Sequence, residues 1–262
     1  MHASLDLWLA LSRGDHSALE VVAFAYARIG PVCLMLPFFG ERLFANAMMR
    51  HALIALLAVA LWPAIMPVAD KALSSTGDLF WILMKECATG TAIGLTLAMP
   101  FWICSAVGAW IDNQRGATIS EVLDPLHGVE VSTFSAFLSV YAGAVFLAND
   151  GMRTVVHVLA SSYIESQRPG GLKVDWLRYV TFFDTLSREA LRLSAPVISA
   201  MFATELLLGM LSRFATQMGV FALAFSLKSL IAFVVFYLYF GPSLAELFTT
   251  FAHVVPGRIV GP

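Results

Sequence analysis

The sequence predicts an all-α membrane protein, a bundle of long, proline-kinked helical hairpins with about six to eight helices. Three observations predict it. Of the 262 residues, 59% are hydrophobic and only 13% charged, against roughly 25% charged in soluble domains. Mean hydropathy is +0.78, and no soluble globule of this size has interior enough to hide so much apolar surface. The apolar residues also fall into long runs, several of which carry a proline.

The longest uncharged run, Cys87 to Ile111, lies between Lys85-Glu86 and the polar cluster Asp112-Asn113-Gln114-Arg115-Gly116. About 25 residues at 1.5 Å each make roughly 37 Å of helix, enough to cross a hydrocarbon core of about 30 Å. Gly90, Gly94 and Ala98 recur every four residues, so one face is open to the backbone of another helix. Pro100 removes one intrahelical hydrogen bond and should kink the segment.

In chain order, Met1–His16 reads as a short amphipathic or irregular lead-in. With Asp6 before a short apolar run and no basic start, it lacks the pattern of a signal peptide. Ala18–Phe39 is the first apolar segment, carrying Glu20 and Arg28 and broken by Pro31 and Pro37. Gly40–His51 reads as a polar connection. Ala52–Ala69 is a second uncharged segment, closed by Pro63 and Pro67, and Asp70–Asp78 is a link. Leu79–Ile111 is the third and longest segment. Asp112–Glu130 is polar and net acidic, and Val131–Ala148 is the fourth segment.

From Asn149 to Arg192 charges of both signs are interspersed around the turn Pro169-Gly170-Gly171. This reads as the longest water-exposed stretch, with short amphipathic helices only. Leu193–Leu211, containing Pro196 and Glu205, is the fifth apolar segment. A break at Ser212–Gly219 leads to Val220–Phe240, which contains Lys228, and then to the tail. The loops carry both signs, so the positive-inside rule gives little orientation. Either the helices simply fill a small protein, or partners rather than the bilayer fix their placement.

Composition and motifs exclude several functions. A net charge of -2 offers nothing to nucleic acid. Cys33, Cys87 and Cys104 sit singly in apolar runs, the pattern of buried inert thiols rather than a metal or redox site. No H-E-x-x-H, G-x-S-x-G, P-loop or G-x-G-x-x-G occurs, and the six histidines are scattered. Asp112, Glu121, Asp124 and Glu130 could be imagined around a cation, but a solvated acidic loop is the commoner use of such residues. No catalytic residue, cofactor or metal is expected.

Three groups of residues remain. The Asp112–Gly116 cluster is either a helix-capping loop, with Gly116 in a turn conformation, or a polar contact to partner subunits. Arg28, Glu205 and Lys228 lie inside apolar runs, where ionisable groups face a bundle interior, a partner or a water path, or else snorkel. The Phe and Met content reads as core and lipid-facing surface.

Ile111-Asp112-Asn113-Gln114-Arg115-Gly116-Ala117, preceded by Pro100-Phe101-Trp102 and followed by Asp124-Pro125, resembles the T-type export-apparatus proteins of type III secretion systems. This is the family of YscT, SpaR and HrcT, related to flagellar FliR. Arg28-Ile29 through Leu36-Pro37-Phe38-Phe39-Gly40 to Arg50 is similar to the family's first helix and loop. The stretch Leu208–Phe221, with Arg213 and Gln217, resembles its hairpin tip, Thr216 and Gly219 standing where the family has Pro and Asn.

The resemblance implies a non-enzymatic inner-membrane subunit, multi-pass, its core raised towards the periplasm within the secretion basal body. It implies partners: R-type and S-type export-apparatus membrane proteins in a gate that unfolded substrates thread, and a U-type switch protein outside. It divides the single helical membrane domain 1–262 into an R-like part, 1–192, that includes the charged region 149–192, and an S-like hairpin and tail, 193–262. Partner contact then falls to Asp112, Asn113, Gln114, Arg115, Gly116, Arg213 and Gln217. The alternative is a self-contained small-solute transporter, which usually shows two related halves with broken helices.

Counting adds one expectation. In a hairpin of Leu193–Leu211 and Val220–Phe240 turning within Arg213–Gly219, Glu205 and Lys228 lie at equal depth and can pair, the rival being that each pairs with a neighbouring subunit.

Overall fold

A computed structural model describes residues 16–39, 46–73, 78–116, 132–167, 176–214 and 224–240. Within them the chain is all helical: α1 (His16–Met35), a 3-10 turn (Pro37–Phe39), α2 (Ala47–Ala60), α3 (Trp62–Leu73), α4 (Leu79–Arg115), α5 (Thr133–Ala148), α6 (Gly151–Ser166), α7 (Trp176–Phe214) and α8 (Ala224–Phe240). The lead-in, the acidic residues Glu121, Asp124 and Glu130, the Pro169 turn, Gln217 with the hairpin tip, and the tail lie outside the described residues.

The break expected at Pro31 does not occur. Pro31 lies inside a continuous helix, as do Pro100 and Pro196, each removing a single intrahelical hydrogen bond. The real break lies between α2 and α3, which meet at 83° in a stretch read from sequence as one segment. Pro63 has no N–H to give to Val59, so the first ladder stops. Leu61 caps it and its carbonyl accepts the first N–H groups of the next helix, from Ala64 at 2.9 Å and Ile65 at 3.1 Å. The polar connection also ends sooner than expected: Asn46 accepts the Met48 N–H at 3.0 Å and starts α2, which places Arg50 and His51 in a helix. The side chain of His51 meets the Tyr26 hydroxyl on α1.

The charged stretch 149–192 is not a set of short surface helices. α6 buries Val155, Val158, Leu159, Ser162 and Tyr163, and the following helix runs unbroken for 39 residues from Trp176 to Phe214. The cut at 192/193 therefore falls within α7. Packing through one buried stripe lets the opposite stripe stay charged, and Arg188–Asp184 (2.8 Å) and Arg192–Glu189 (3.7 Å) pair there along the helix.

Two compact units divide the chain. The first holds the described residues up to Met99 and those between 146 and 176. In it α1 packs on α2 and α3, and α3 on α6, around Phe24, Ile29, Leu36, Ile65, Ile93 and Tyr163. The small-residue face of α4 meets α1: a Cβ on Gly94 would stand 3.0 Å from the Val32 Cα, and one on Gly90 would run into the Arg28 backbone. The second unit holds the described residues between 100 and 145 and between 177 and 240. Its core is Phe101, Ile103, Val107, Ile111, Phe134 and Phe240, with Phe134, Phe137 and Tyr141 of α5 set against Phe236 of α8 at ring-centroid distances of 5.3 to 6.4 Å.

Candidate functional site

Arg28 sits in the middle of the first unit, 1% exposed. Its Nε donates to Glu86 Oε2 at 2.6 Å, Nη1 to Ser162 Oγ at 3.2 Å and Nη2 to Ser166 Oγ at 3.1 Å. The guanidinium carbon lies 4.1 Å from the centroid of the Tyr163 ring, a cation–π arrangement. Both serine hydroxyls donate to α6 carbonyls, those of Leu159 and Ser162, which leaves their lone pairs free to accept from Arg28. Arg28 thus does not snorkel: it ties α1 to α4 and α6. Sequence reasoning missed Glu86, read only as a helix entry, and the Ser162-Tyr163-Ser166 face. The available signal was that a buried arginine demands a carboxylate.

In the second unit, Asp112 and Arg115 occupy the last turn of α4, and Gly116 ends it at φ 83°, the left-handed C-cap that glycine favours. The cluster is therefore mostly helix, with only Gly116 in the turn. Asp112 Oδ1 accepts from Arg115 Nε at 2.5 Å. Its Oδ2 accepts from the Ser132 hydroxyl and, at 2.7 Å, from the Phe134 N–H. The carboxylate thereby serves as a cap for α5, taking one of the N–H groups left open at its start, and the Ser132 hydroxyl takes another, from Ser135 at 3.3 Å. Arg115 Nη1 reaches Ser229 on α8 at 3.5 Å. Two turns earlier on α4, Ser105 and Ser135 hydroxyls meet at 2.7 Å. A Cβ on Gly108 would lie 2.8 Å from the Phe134 carbonyl carbon, a close approach that sequence reasoning overlooked.

Glu205 and Lys228 pair as counted, Nζ to Oε2 at 3.0 Å, with Lys228 buried and Glu205 half exposed. Among the seven residues expected to contact partners, then, Asp112 and Arg115 are engaged inside the chain. Asn113 is exposed, Gln114 half-buried, and Arg213 exposed at the end of α7. Of the readings open for the buried charges and the glycine row, the bundle interior is the one observed: their partners lie on other helices of the same chain.

The surface that does stay open is apolar. Of the most apolar part of α4, 67% is buried, against 28% in the segment Asp184–Phe214 of α7. Leu207, Met210 and Phe214 of α7, and Leu230, Tyr237 and Leu238 of α8, are all exposed. Cys33 and Cys104 are buried free thiols and Cys87 is half-buried. The polar clusters are closed largely by hydrogen bonds within and between helices, the buried Tyr163 hydroxyl being left without a partner among the described residues. That arrangement joins helices.

α4 and Asp184–Phe214 are each long and apolar enough to cross a membrane, and the bent α2–α3 pair together would add a third span. Fold and site define a multi-pass helical membrane protein whose buried charges tie its own helices together. Residues 19–254 match the family model of bacterial export proteins, family 1, and the chain belongs to that family. It is 36% identical to the surface presentation of antigens protein SpaR of Salmonella typhimurium, over 92% of this chain and 90% of that protein. It is 28% identical to the Yop proteins translocation protein T of Yersinia pestis, over 79% and 80% of the two chains. Identity to the flagellar biosynthetic protein FliR of Bacillus subtilis is 26%, over 80% and 82%.

Proposed function

We propose that the protein is a non-enzymatic subunit of a type III secretion export gate in the bacterial inner membrane. In this reading it assembles with R-type and S-type membrane proteins into the channel through which unfolded proteins leave. A U-type switch protein packs outside, and the core is raised towards the periplasm. The supporting observation is the family match over nearly the whole chain, together with the continuous apolar face that α7 and α8 leave uncovered. Such a face needs lipid or protein against it. Residues 1–192 form the R-like part and 193–262 the S-like hairpin and tail, so the uncovered face belongs to the hairpin that would extend the ring of S-type subunits. Asn113, Gln114, Gly116, Arg213 and Gln217 are its partner-contact residues, with Asp112 and Arg115 setting the shape of that contact from within.

Purification in mild detergent from cells carrying the neighbouring secretion genes tests this. Short two-helix and four-helix membrane proteins should co-purify in fixed ratio, and deletion of the gene should stop secretion. A chain that runs alone as a heat-stable, protease-resistant monomer and moves a small solute in vesicles would show the proposal to be wrong.

A further inference from the structure

The first two turns of α4 differ from the rest of its N-terminal half. Leu79, Phe80, Trp81, Met84 and Lys85 are exposed, whereas no residue from Glu86 to Met99 is. Phe80 and Trp81 are 65% and 69% exposed, and their rings stand edge to face with centroids 5.7 Å apart. Lys85 lies one turn on from Trp81 on the same face, and its amine has no ion pair among the described residues. We propose that Phe80, Trp81 and Lys85 form an anchor that holds the first unit at an anionic lipid surface, rings at headgroup level and ammonium among the phosphates. The inference rests on the membrane reading of the chain.

Several features converge on lipid. Tryptophan has an apolar body and one N–H donor, which suits the boundary between hydrocarbon and water better than either side. The pair stands where the longest apolar helix begins, the place such belts occupy. Lys85 lies about 6 Å farther along the helix than Trp81. Helical Cα–Cβ bonds tilt towards the N-terminus, so its four-carbon stem carries the ammonium back to the level of the rings. Asp78 sits about 10 Å outward of Lys85 along the axis, beyond the rings and on the water side. An ammonium at the level of the rings adds an attraction to anionic headgroups that the aromatic pair alone lacks.

The test uses the full chain in nanodiscs, with Cys87→Ser and a nitroxide on Met84→Cys, between the rings and the lysine. A second label on Leu207→Cys of α7 serves as reference. Relative collision with oxygen and a water-soluble nickel chelate should place the Met84 label just below the headgroups and the Leu207 label in hydrocarbon. Replacing both Phe80 and Trp81 with Ala should raise nickel accessibility at Met84 severalfold and leave Leu207 unchanged. Lys85→Gln should lower the preference for phosphatidylglycerol over phosphatidylcholine by about fivefold. A Met84 label in water, or one shielded from both reagents by protein, overturns the anchor while the Leu207 label stays in lipid. A Leu207 label that also reads water overturns the membrane reading itself.

Discussion

Where a side chain on Gly90 would stand, the backbone of Arg28 already does: a Cβ there would come within 2.9 Å of the Arg28 carbonyl carbon and nearer still to its oxygen. One turn back along the same face of α4, Glu86 accepts the Arg28 Nε–H. The missing methyl at position 90 lets α1 come close enough for the ion pair at 86. Gly90→Ala should therefore cost about 1–3 kcal/mol or more, as overpacking against backbone does. Gly94→Ala, facing Met35 side-chain atoms that can shift by a few tenths of an ångström as well as Val32 Cα, should cost less. Melting of fluorescently tagged protein in detergent would rank the two, and equal losses would contradict the close-approach argument.

Removing one partner of a buried pair leaves the other uncompensated. Arg28→Met and Glu86→Gln should each destabilise by about 3–5 kcal/mol, and the double variant by clearly less than the sum. Arg28→Lys should rescue poorly, because a single ammonium cannot replace a fork that serves Glu86, Ser162 and Ser166 together. Protein abundance and melting temperature are the readouts.

The end of α4 should separate into inward and outward residues. Asp112→Ala strands the Phe134 N–H and releases Arg115, a loss of about 1–3 kcal/mol. Asn113→Ala should leave stability within about 0.5 kcal/mol and, if it touches a partner, lower secretion at unchanged abundance. Loss of abundance in Asn113→Ala would place that residue in the fold instead.

Exchange of charges tests the hairpin. Glu205→Lys and Lys228→Glu should each impair assembly, and the double exchange should recover part of it. Because Glu205 is half exposed, the coupling should be small, about 1 kcal/mol. Additive losses without recovery would assign both residues to other partners.

Gly209 offers a cleaner probe of the open face. Nothing lies within 4 Å of a Cβ placed there. Gly209→Ala should stabilise α7 by about 0.5–1 kcal/mol through helix propensity. A variant that melts higher yet no longer co-purifies with partners would mark position 209 as a contact, whereas unchanged assembly would place it towards lipid.

Spacing along the chain was enough to read much of this fold in advance. The apolar run and the row Gly90, Gly94 required a long helix with a close neighbour, and the count from the turn placed Glu205 level with Lys228. What could not be read depends on rotation about helix axes. Ser162, Tyr163, Glu165 and Ser166 look like a surface in one dimension, yet Ser162, Tyr163 and Ser166 close around Arg28. Asp112 looked like a residue for others to bind because the groups that satisfy it, Ser132 and Phe134, lie beyond a long intervening stretch of polar and turn-forming character. The same blindness hid the α2–α3 corner, since Pro63 opens one helix as readily as it closes another.

Pro196 lies four residues after Arg192 inside α7. Proline has no N–H, so the Arg192 carbonyl lacks the usual partner one turn ahead, and it lacks it where the charged half of the helix gives way to the apolar half. A rod yields where its ladder is thinnest. Displacement of the segment that carries Glu205, pulled through Lys228 on α8, would be taken up at that joint, leaving the charged half of α7 still and the turns beyond it straight.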